Sequence, residues 1–353
     1  MTTIAKIRSF IDRGHRVTLI GPSPYHYYSG MGPGMLGGFY RPEEIRFPIQ
    51  KMAEDQGAVF IKDRVSLVRP EIRELLCATG KILPYDVVSF NVGSHVPIHI
   101  VSQPLPNVLP VKPIENLYEG HRKILDLLKK KVPRIVTIGG GPAGVEISGN
   151  IARLVKGRGK AEIKLLAGGS LLPRLPQRAR RIASGSLISR GVEIVEEART
   201  RRVGTEWIHL QDGRRLPYDF CLIAVGVRPP DLFAKSGLRA GEDGALAVNP
   251  FLQSIQYPEI FGGGDCIQFL PRSLGKVGVY AVRQNPVLYH NLLAALEEET
   301  LAPFRPGRDY FLILNLGDGR GLFWWRSWAW DGKSAFFLKD RIDRRFMRKF
   351  LPV

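Results

Sequence analysis

The stretch Arg134 to Val155, RIVTIGGGPAGVEISGNIARLV, does most to limit what this chain can fold into. A short β-branched run, Ile135 to Ile138, meets a glycine turn, and apolar residues then recur at helical spacing at Val145, Ile147, Ile151 and Leu154. Gly139, Gly141 and Gly144 form GxGxxG at the junction. Alone that triplet is weak; a strand before it and a helix after it give it weight. The first glycine permits the tight turn, the second lets backbone approach a diphosphate, and the third lets helix pack on strand, with the anion at the helix N-terminus. The spacing predicts a dinucleotide site, set against the plainer reading of a tight turn without a ligand.

Comparing the chain with itself brings out a second unit. After the glycine turn, the helix Val145–Val155 runs through KGRGK into a strand at Glu162–Leu166 and a loop, AGGSLLPRL. The N-terminus follows the same plan: a helix at Ile4–Ile11, then DRGHR, a strand at Val17–Ile20 and the loop GPSPYHYYSGMGPG. Met1 falls where the later unit has already passed its glycine turn, so the first strand and phosphate loop of the N-terminal unit are expected to be missing. Short strands are read near Ala58–Val68 and Ile72–Leu83. Strand-then-glycine runs recur at Tyr85–Gly93 and Tyr218–Pro229, and the repetition argues two similarly built domains. Val96–Pro113 reads as a connector and Ile114–Lys130 as a helix.

The 353 residues allow two to three domains at about 150 each. Cys77, Cys221 and Cys266 are scattered singletons, giving neither a disulfide framework nor a CxxC pair. A reducing compartment follows, and with no signal peptide or apolar run of about 18 residues the expectation is cytoplasmic. The histidines show no HxxxH or HExxH spacing, so no metal site is expected. A net charge of +18 attracts dinucleotides, anionic membranes and nucleic acid alike. No helix-turn-helix, zinc spacing or RNA-binding aromatic motif accompanies it, so nucleic acid is not expected as a partner.

Late in the chain, YPEIFGGGDC delivers Asp265 directly after three glycines, where a carboxylate meets a ligand or caps a turn. Val277–Leu296 is helical in pattern, with Pro286 predicting a kink or a start nearer Asn285. Four of five tryptophans, Trp324, Trp325, Trp328 and Trp330, then precede FLKDRIDRRFMRKFLPV. There Leu338, Ile342, Phe346 and Phe350 fall on one helical face ringed by cations. That face is expected to lie in a membrane interface or to pack on protein.

The ordered set of glycine loop, VSFNVGS, LIAVGVRP and GGGD resembles the pyridine nucleotide-disulfide oxidoreductase superfamily, the flavoproteins with two dinucleotide-binding domains. Within it the GGGPAGVE run at Gly139–Glu146 is most similar to the type II NADH:quinone oxidoreductase branch, and the C-terminal sequence resembles the form associated with selenide, water dikinase. The resemblance implies an α/β fold of two Rossmann-like domains plus a C-terminal α+β segment. An FAD domain would comprise residues 1–113 and 246–300, an NAD(P)H domain 114–245, and an interface or membrane-associated segment 301–353. It implies FAD and NAD(P)H as cofactors and a quinone or other small molecule as acceptor. It also implies cofactor contacts at Gly93, Gly226, Asp265, Tyr280 and Ala281, nicotinamide positioning by Glu146, and acceptor contact by Arg283 and Gln284. His26 is read as lying over the flavin or as a packed loop histidine. A homodimer, selenide, water dikinase association and peripheral contact at the inner membrane face complete the expectations. The competing readings are a non-catalytic nucleotide-binding or partner-docking module and a sulfide:quinone-type enzyme using separated cysteines. No acid ends either ribose-side strand, at Gly21-Pro22-Ser23 or Ala167–Ser170, which leaves NADH and NADPH both open.

Overall fold

The computed structural model describes residues 1–307 and 309–351. Near the N-terminus two short helices, α1 (Thr2–Ala5) and α2 (Arg8–Ile11), stand where one helix was expected, and lead into β1 (Thr18–Gly21). A buried helical turn α3 (Gly32–Leu36) follows the aromatic loop, and β1 pairs in parallel with β2 (Val59–Lys62). After a three-stranded antiparallel sheet over Val65–Arg69, Glu74–Cys77 and Ile82–Pro84 comes β3 (Val88–Phe90).

The central unit is built on five parallel strands. They are β4 (Val108–Pro110), β5 (Arg134–Ile138), β6 (Glu162–Leu166), β7 (Val192–Val195) and β8 (Phe220–Ile223), in the order β7-β6-β5-β8-β4. Helices α4 (Glu115–Leu128), α5 (Pro142–Val155) and α6 (Gln177–Ile188) belong to the same unit. Buried on both faces beyond Arg134, β5 and β8 are apolar apart from that residue and Thr137, as a covered parallel sheet requires. β4 lies inside the stretch read as a connector, so the sheet reaches upstream of residue 114. A second antiparallel triplet, Thr200–Val203, Trp207–Leu210 and Arg215–Pro217, repeats the one in the N-terminal unit.

β9 (Ile260–Gly262) returns to pair with β3, and α7 (Gly278–Leu296) follows it. α7 runs unbroken through Pro286 and does not start near Asn285. The chain ends in an antiparallel sheet of β10 (Leu312–Asn315), β11 (Gly321–Trp325) and β12 (Trp328–Gly332), then α8 (Lys333–Phe350). Among the described residues no helix is long and apolar enough to cross a membrane.

The orientation of α8 corrects the expected face. Leu338 and Ile342 are exposed, whereas Ala335, Phe336, Asp343, Met347 and Phe350 are buried. Two polar anchors turn the helix. Lys339 Nζ donates to Gly30 O (2.7 Å) and to Asp343 (2.6 Å), and the Tyr28 hydroxyl donates to Asp343 (3.0 Å). Phe346 stacks on Tyr28 at 4.8 Å and meets Phe47 edge-on. A hydrophobicity count cannot find this face, because its centre is an ion pair that Tyr28 and Gly30 of the aromatic loop enclose.

The C-terminal sheet is pressed onto α5 at two glycines. A Cβ on Gly317 would lie 2.1 Å from Gly149 O, and one on Gly149 would lie 2.2 Å from Leu316 O. Arg190 bridges the seam, donating to Gly149 O (2.9 Å) and Leu316 O (2.7 Å).

Candidate cofactor and acceptor site

The glycine loop has the geometry its spacing predicts. Gly139 sits at φ 132°, and a Cβ there would fall 2.4 Å from Ala224 O. Gly144 is tighter still: its Cβ would lie 1.7 Å from Gly139 O, so helix and strand touch backbone to backbone. Gly141, the N-cap of α5, faces open space, with nothing within 4 Å of where a Cβ would be. No side chain caps α5, leaving its first N–H groups free for an anion. These residues fit a dinucleotide diphosphate: two glycines are needed for packing and one for access. Gly226, after β8, is likewise exposed and unobstructed.

Glu146 lies in the second turn of α5. Its carboxylate accepts the Asn315 amide at 2.7 Å, within reach of the fields of Lys339 and Asp343. Burial, aided by Asp343, pushes the carboxyl up to about 7, while Lys339 and the Asn315 amide pull it down. The group therefore changes charge near neutrality, at the junction of α5, β10 and α8.

The second half of the site gathers around Asp265. Its carboxylate accepts from the Ser94 hydroxyl (2.6 Å) and the Lys112 ammonium (2.9 Å), and Lys112 also donates to Ser94 (2.8 Å). Gly93, at φ 68°, makes the turn that brings Ser94 there. Gln284 is buried and accepts the Gly264 amide at 2.6 Å, bracing the glycine run that carries Asp265. A small cavity opens between Asp265, Gly264, Ile267, Lys276, Val277 and Tyr280. α7 begins there with no side-chain cap, and Ala281 sits 3.4 Å from a Cβ placed on Gly264. These donors suit the pyrimidine and ribitol end of a flavin. The two halves are joined through the C-terminal segment. Tyr280 meets Tyr310 edge-on at 5.7 Å, and one face of the sheet stacks Phe311, Phe323 and Trp330 at 5.6 and 5.3 Å.

Of the residues expected at the site, Arg283 donates to Pro306 O (2.7 Å) and Asp309 O (3.1 Å), so its guanidinium ties α7 to the following segment. His26 is exposed in a two-residue strand paired with Arg46–Phe47. Sequence reasoning missed Lys112, Asn315 and Lys339, which reach the site from the connector, β10 and α8. The three thiols are buried apart from one another. Burial raises each, Cys266 to about 11. Among the described residues no cluster of side chains suits a metal ion.

Comparison with known proteins identifies relatives of the whole chain. The chain is 26% identical over 312 residues to ferroptosis suppressor protein 1 of Taeniopygia guttata, covering 84% of this chain and 79% of that protein. It is 23% identical to the internal alternative NAD(P)H-ubiquinone oxidoreductase A1 of Arabidopsis thaliana, over 57% of this chain but only 43% of that protein. Among solved structures, sulfide:quinone oxidoreductase of Aquifex aeolicus superposes with a TM-score of 0.80 at 17% identity, over 99% of this chain and 88% of that one. NDH2 of Plasmodium falciparum, solved with NADH, gives 0.79 at 14% over 99% and 98%. At such identities these two show a common fold. The sequence model of the pyridine nucleotide-disulphide oxidoreductases matches residues 2–291, and the chain belongs to that family.

Proposed function

We propose that this chain takes hydride from NAD(P)H onto bound FAD and passes the two electrons to a quinone-like small acceptor. The observation that carries the reading is the presence in one chain of an open glycine cradle at Gly141 and a glycine-framed carboxylate at Asp265 beside the uncapped start of α7. The relatives whose names include NAD(P)H-ubiquinone oxidoreductase support it. On this reading residues 114–245 hold NAD(P)H, and residues 1–113 with 246–300 hold FAD.

When bound, FAD supplies the two-electron centre between nicotinamide and acceptor. The residues of the chain bind, orient and shield. The loop Gly139–Gly144 takes the nicotinamide dinucleotide's diphosphate. Asp265, braced by Lys112 and Ser94, would take the ribitol, and the start of α7 around Gly278–Ala281 would meet the pyrimidine edge with the Gly278 and Val279 N–H groups, the Tyr280 N–H being already given to Val277 O. Glu146 orients the nicotinamide end and keeps a proton into the neutral range. The acceptor approaches beside the edge-on pair of Tyr280 and Tyr310. Beyond β6, Arg199 flanks Gly168 and Glu197 lies 3.9 Å from a Cβ on Gly169, a cation for a 2′-phosphate and an acid for a 2′-hydroxyl. This pairing of a cation with an acid does not choose between NADH and NADPH.

Disulfide or sulfide chemistry is disfavoured by the three separate, buried thiols. Peripheral membrane contact is part of the proposal. Phe337 is 65% exposed, and with Leu338 and Ile342 it forms an outward apolar stripe beside Arg341, Arg345 and Lys349, and Trp325 and Trp328 are exposed at the turn of the preceding hairpin. Dimerisation and pairing with a selenide, water dikinase rest on the sequence resemblance alone; the relatives reported above name neither. The test is anaerobic: protein loaded with FAD is mixed with NADH or NADPH, then with a short-chain ubiquinone analogue. Bleaching of the flavin bands by the nucleotide and their return with the quinone are expected. A flavin that the nucleotide does not bleach would overturn the assignment.

A further inference from the structure

The antiparallel triplet occurs twice in this chain, and the two differ in how their charges are met. In the N-terminal one Arg69 lies opposite Glu74 across the strands, and the two pair at 3.2 Å. The central one, Thr200–Val203, Trp207–Leu210 and Arg215–Pro217, sets Arg202 opposite His209 and His209 opposite Arg215. Residues directly opposite one another share a face, so these three form one row across the sheet. No acid interrupts it. Arg214, next to the row, is already taken by Asp212 at 2.7 Å, but Arg202 and Arg215 are exposed and, among the described residues, pair with no carboxylate. Arg201 falls where the register shifts, and this bulge leaves it exposed beside them.

The platform under the row is fixed from below and from the side. Val203, Ile208 and Leu210 are buried, and the Tyr218 hydroxyl donates to Gly204 O (2.5 Å). Val203 N donates to Ile100 O (2.7 Å), which ties the outer strand to the segment ahead of β4. The outward face is thus held without a partner. Trp207 stands on it, two residues from His209 along the middle strand, and is 43% exposed.

Arginine and tryptophan are the residues that most often anchor protein interfaces. A guanidinium fork also matches a carboxylate in two parallel hydrogen bonds. With strands about 4.8 Å apart, Arg202 and Arg215 stand roughly 10 Å from each other. An extended peptide crossing the strands carries its side chains i and i+2 on one face about 6–7 Å apart, a spacing that two long arginine side chains span. Along the strands the row is closed at both ends, by Glu206 in the turn before Trp207 and Asp212 in the turn after Leu210. A phosphodiester backbone, which binds through a longer run of cations, would meet those acids. A single exposed indole is also no platform for successive bases.

We propose that this face docks a short acidic segment of a partner protein, extended, with aspartate or glutamate at alternate positions and an apolar side chain against Trp207. None of its residues belongs to the glycine loop or to the Asp265 cluster, so docking needs neither cofactor.

The test titrates the full chain into a dye-labelled peptide of three aspartates alternating with serine and ending in leucine, read by fluorescence anisotropy at about 0.15 M salt. Saturable binding is expected, loosened about tenfold or more by Arg202→Glu with Arg215→Glu. Lys62→Glu with Lys81→Glu, at two exposed cations of the N-terminal unit, makes the same change in net charge and shifts the Kd by less than about twofold. Both double variants keep the wild-type melting temperature, since unpaired surface cations contribute little to stability. Should the glutamates disturb the sheet, Arg202→Gln with Arg215→Gln gives the same readout. Equal weakening by the two charge-reversed pairs would reduce the effect to the net charge of the chain and overturn the proposal, as would an absence of saturable binding. A single-stranded oligonucleotide or anionic vesicles held more tightly through the same arginines would overturn the acidic segment as the occupant.

Discussion

Replacing Glu146 by Gln isolates one buried charge. The carboxyl rises from an ordinary 4.5 to about 7 because burial penalises the carboxylate. The folded state thus holds this proton more tightly than the unfolded chain does. The stabilisation is complete below pH 4.5 and is lost as pH rises through 7. With each tenfold in proton affinity worth about 1.4 kcal/mol, the wild type forfeits about 2.5 kcal/mol through this group between about pH 5 and about pH 8. Gln accepts the Asn315 amide as well but does not titrate, so the variant avoids that loss. Every other titrating group is common to both proteins and cancels. At roughly 2.1 cal/mol/K of unfolding entropy per residue, the apparent Tm of Glu146→Gln relative to wild type rises by about 3 °C from the acid to the alkaline condition. Melting curves at the two pH values check it. A Tm difference that stays constant with pH would refute the argument that this carboxyl is held protonated.

Gly141→Val leaves Tm nearly unchanged, because space surrounds the site, but raises the Kd for NAD(P)H in titration. Gly144→Ala forces a methyl against Gly139 O and costs about 3 kcal/mol or more, read as a lowered denaturation midpoint. Lys339→Met strands the buried Asp343 and costs about 3–5 kcal/mol, and adding Asp343→Leu recovers much of it. Changing Phe337, Leu338 and Ile342 together to Ser leaves Tm within about 1 kcal/mol equivalent but abolishes sedimentation with anionic vesicles.

What the sequence discloses is local. The β-branched run before Gly139 and the helical spacing after Gly144 define strand, turn and helix because each is written in adjacent residues. The repeat is equally legible, since DRGHR and KGRGK stand at matching places between helix and strand. Asp265 announces itself by following three glycines. Lys112 does not: it becomes a partner of Asp265 only when the chain folds back across 153 residues. Lys339 and Asp343 look like a solvated face because helical periodicity weighs apolar residues, and their enclosure depends on Tyr28 and Gly30 from the far end of the chain. Val108–Pro110 is too short, and too rich in nearby prolines, to be told from a connector without the strand it joins.

The contact between Gly149 and Gly317 bears on how such proteins can be recombined. Two carbonyls and two α-carbons meet there with no room for a methyl on either side, and Arg190 reaches in to satisfy both oxygens. A hairpin turn bearing Asp318 and Arg320 looks from outside like a convenient place to graft a tag or exchange a terminal module. In practice the turn is a mortise cut for one particular helix. A chimera that brings in a foreign C-terminal sheet has to carry glycine at the position of Gly317 and meet both a glycine and the arginine on the host side. A donor lacking any of the three would lift the sheet from α5 and carry Asn315 away from Glu146.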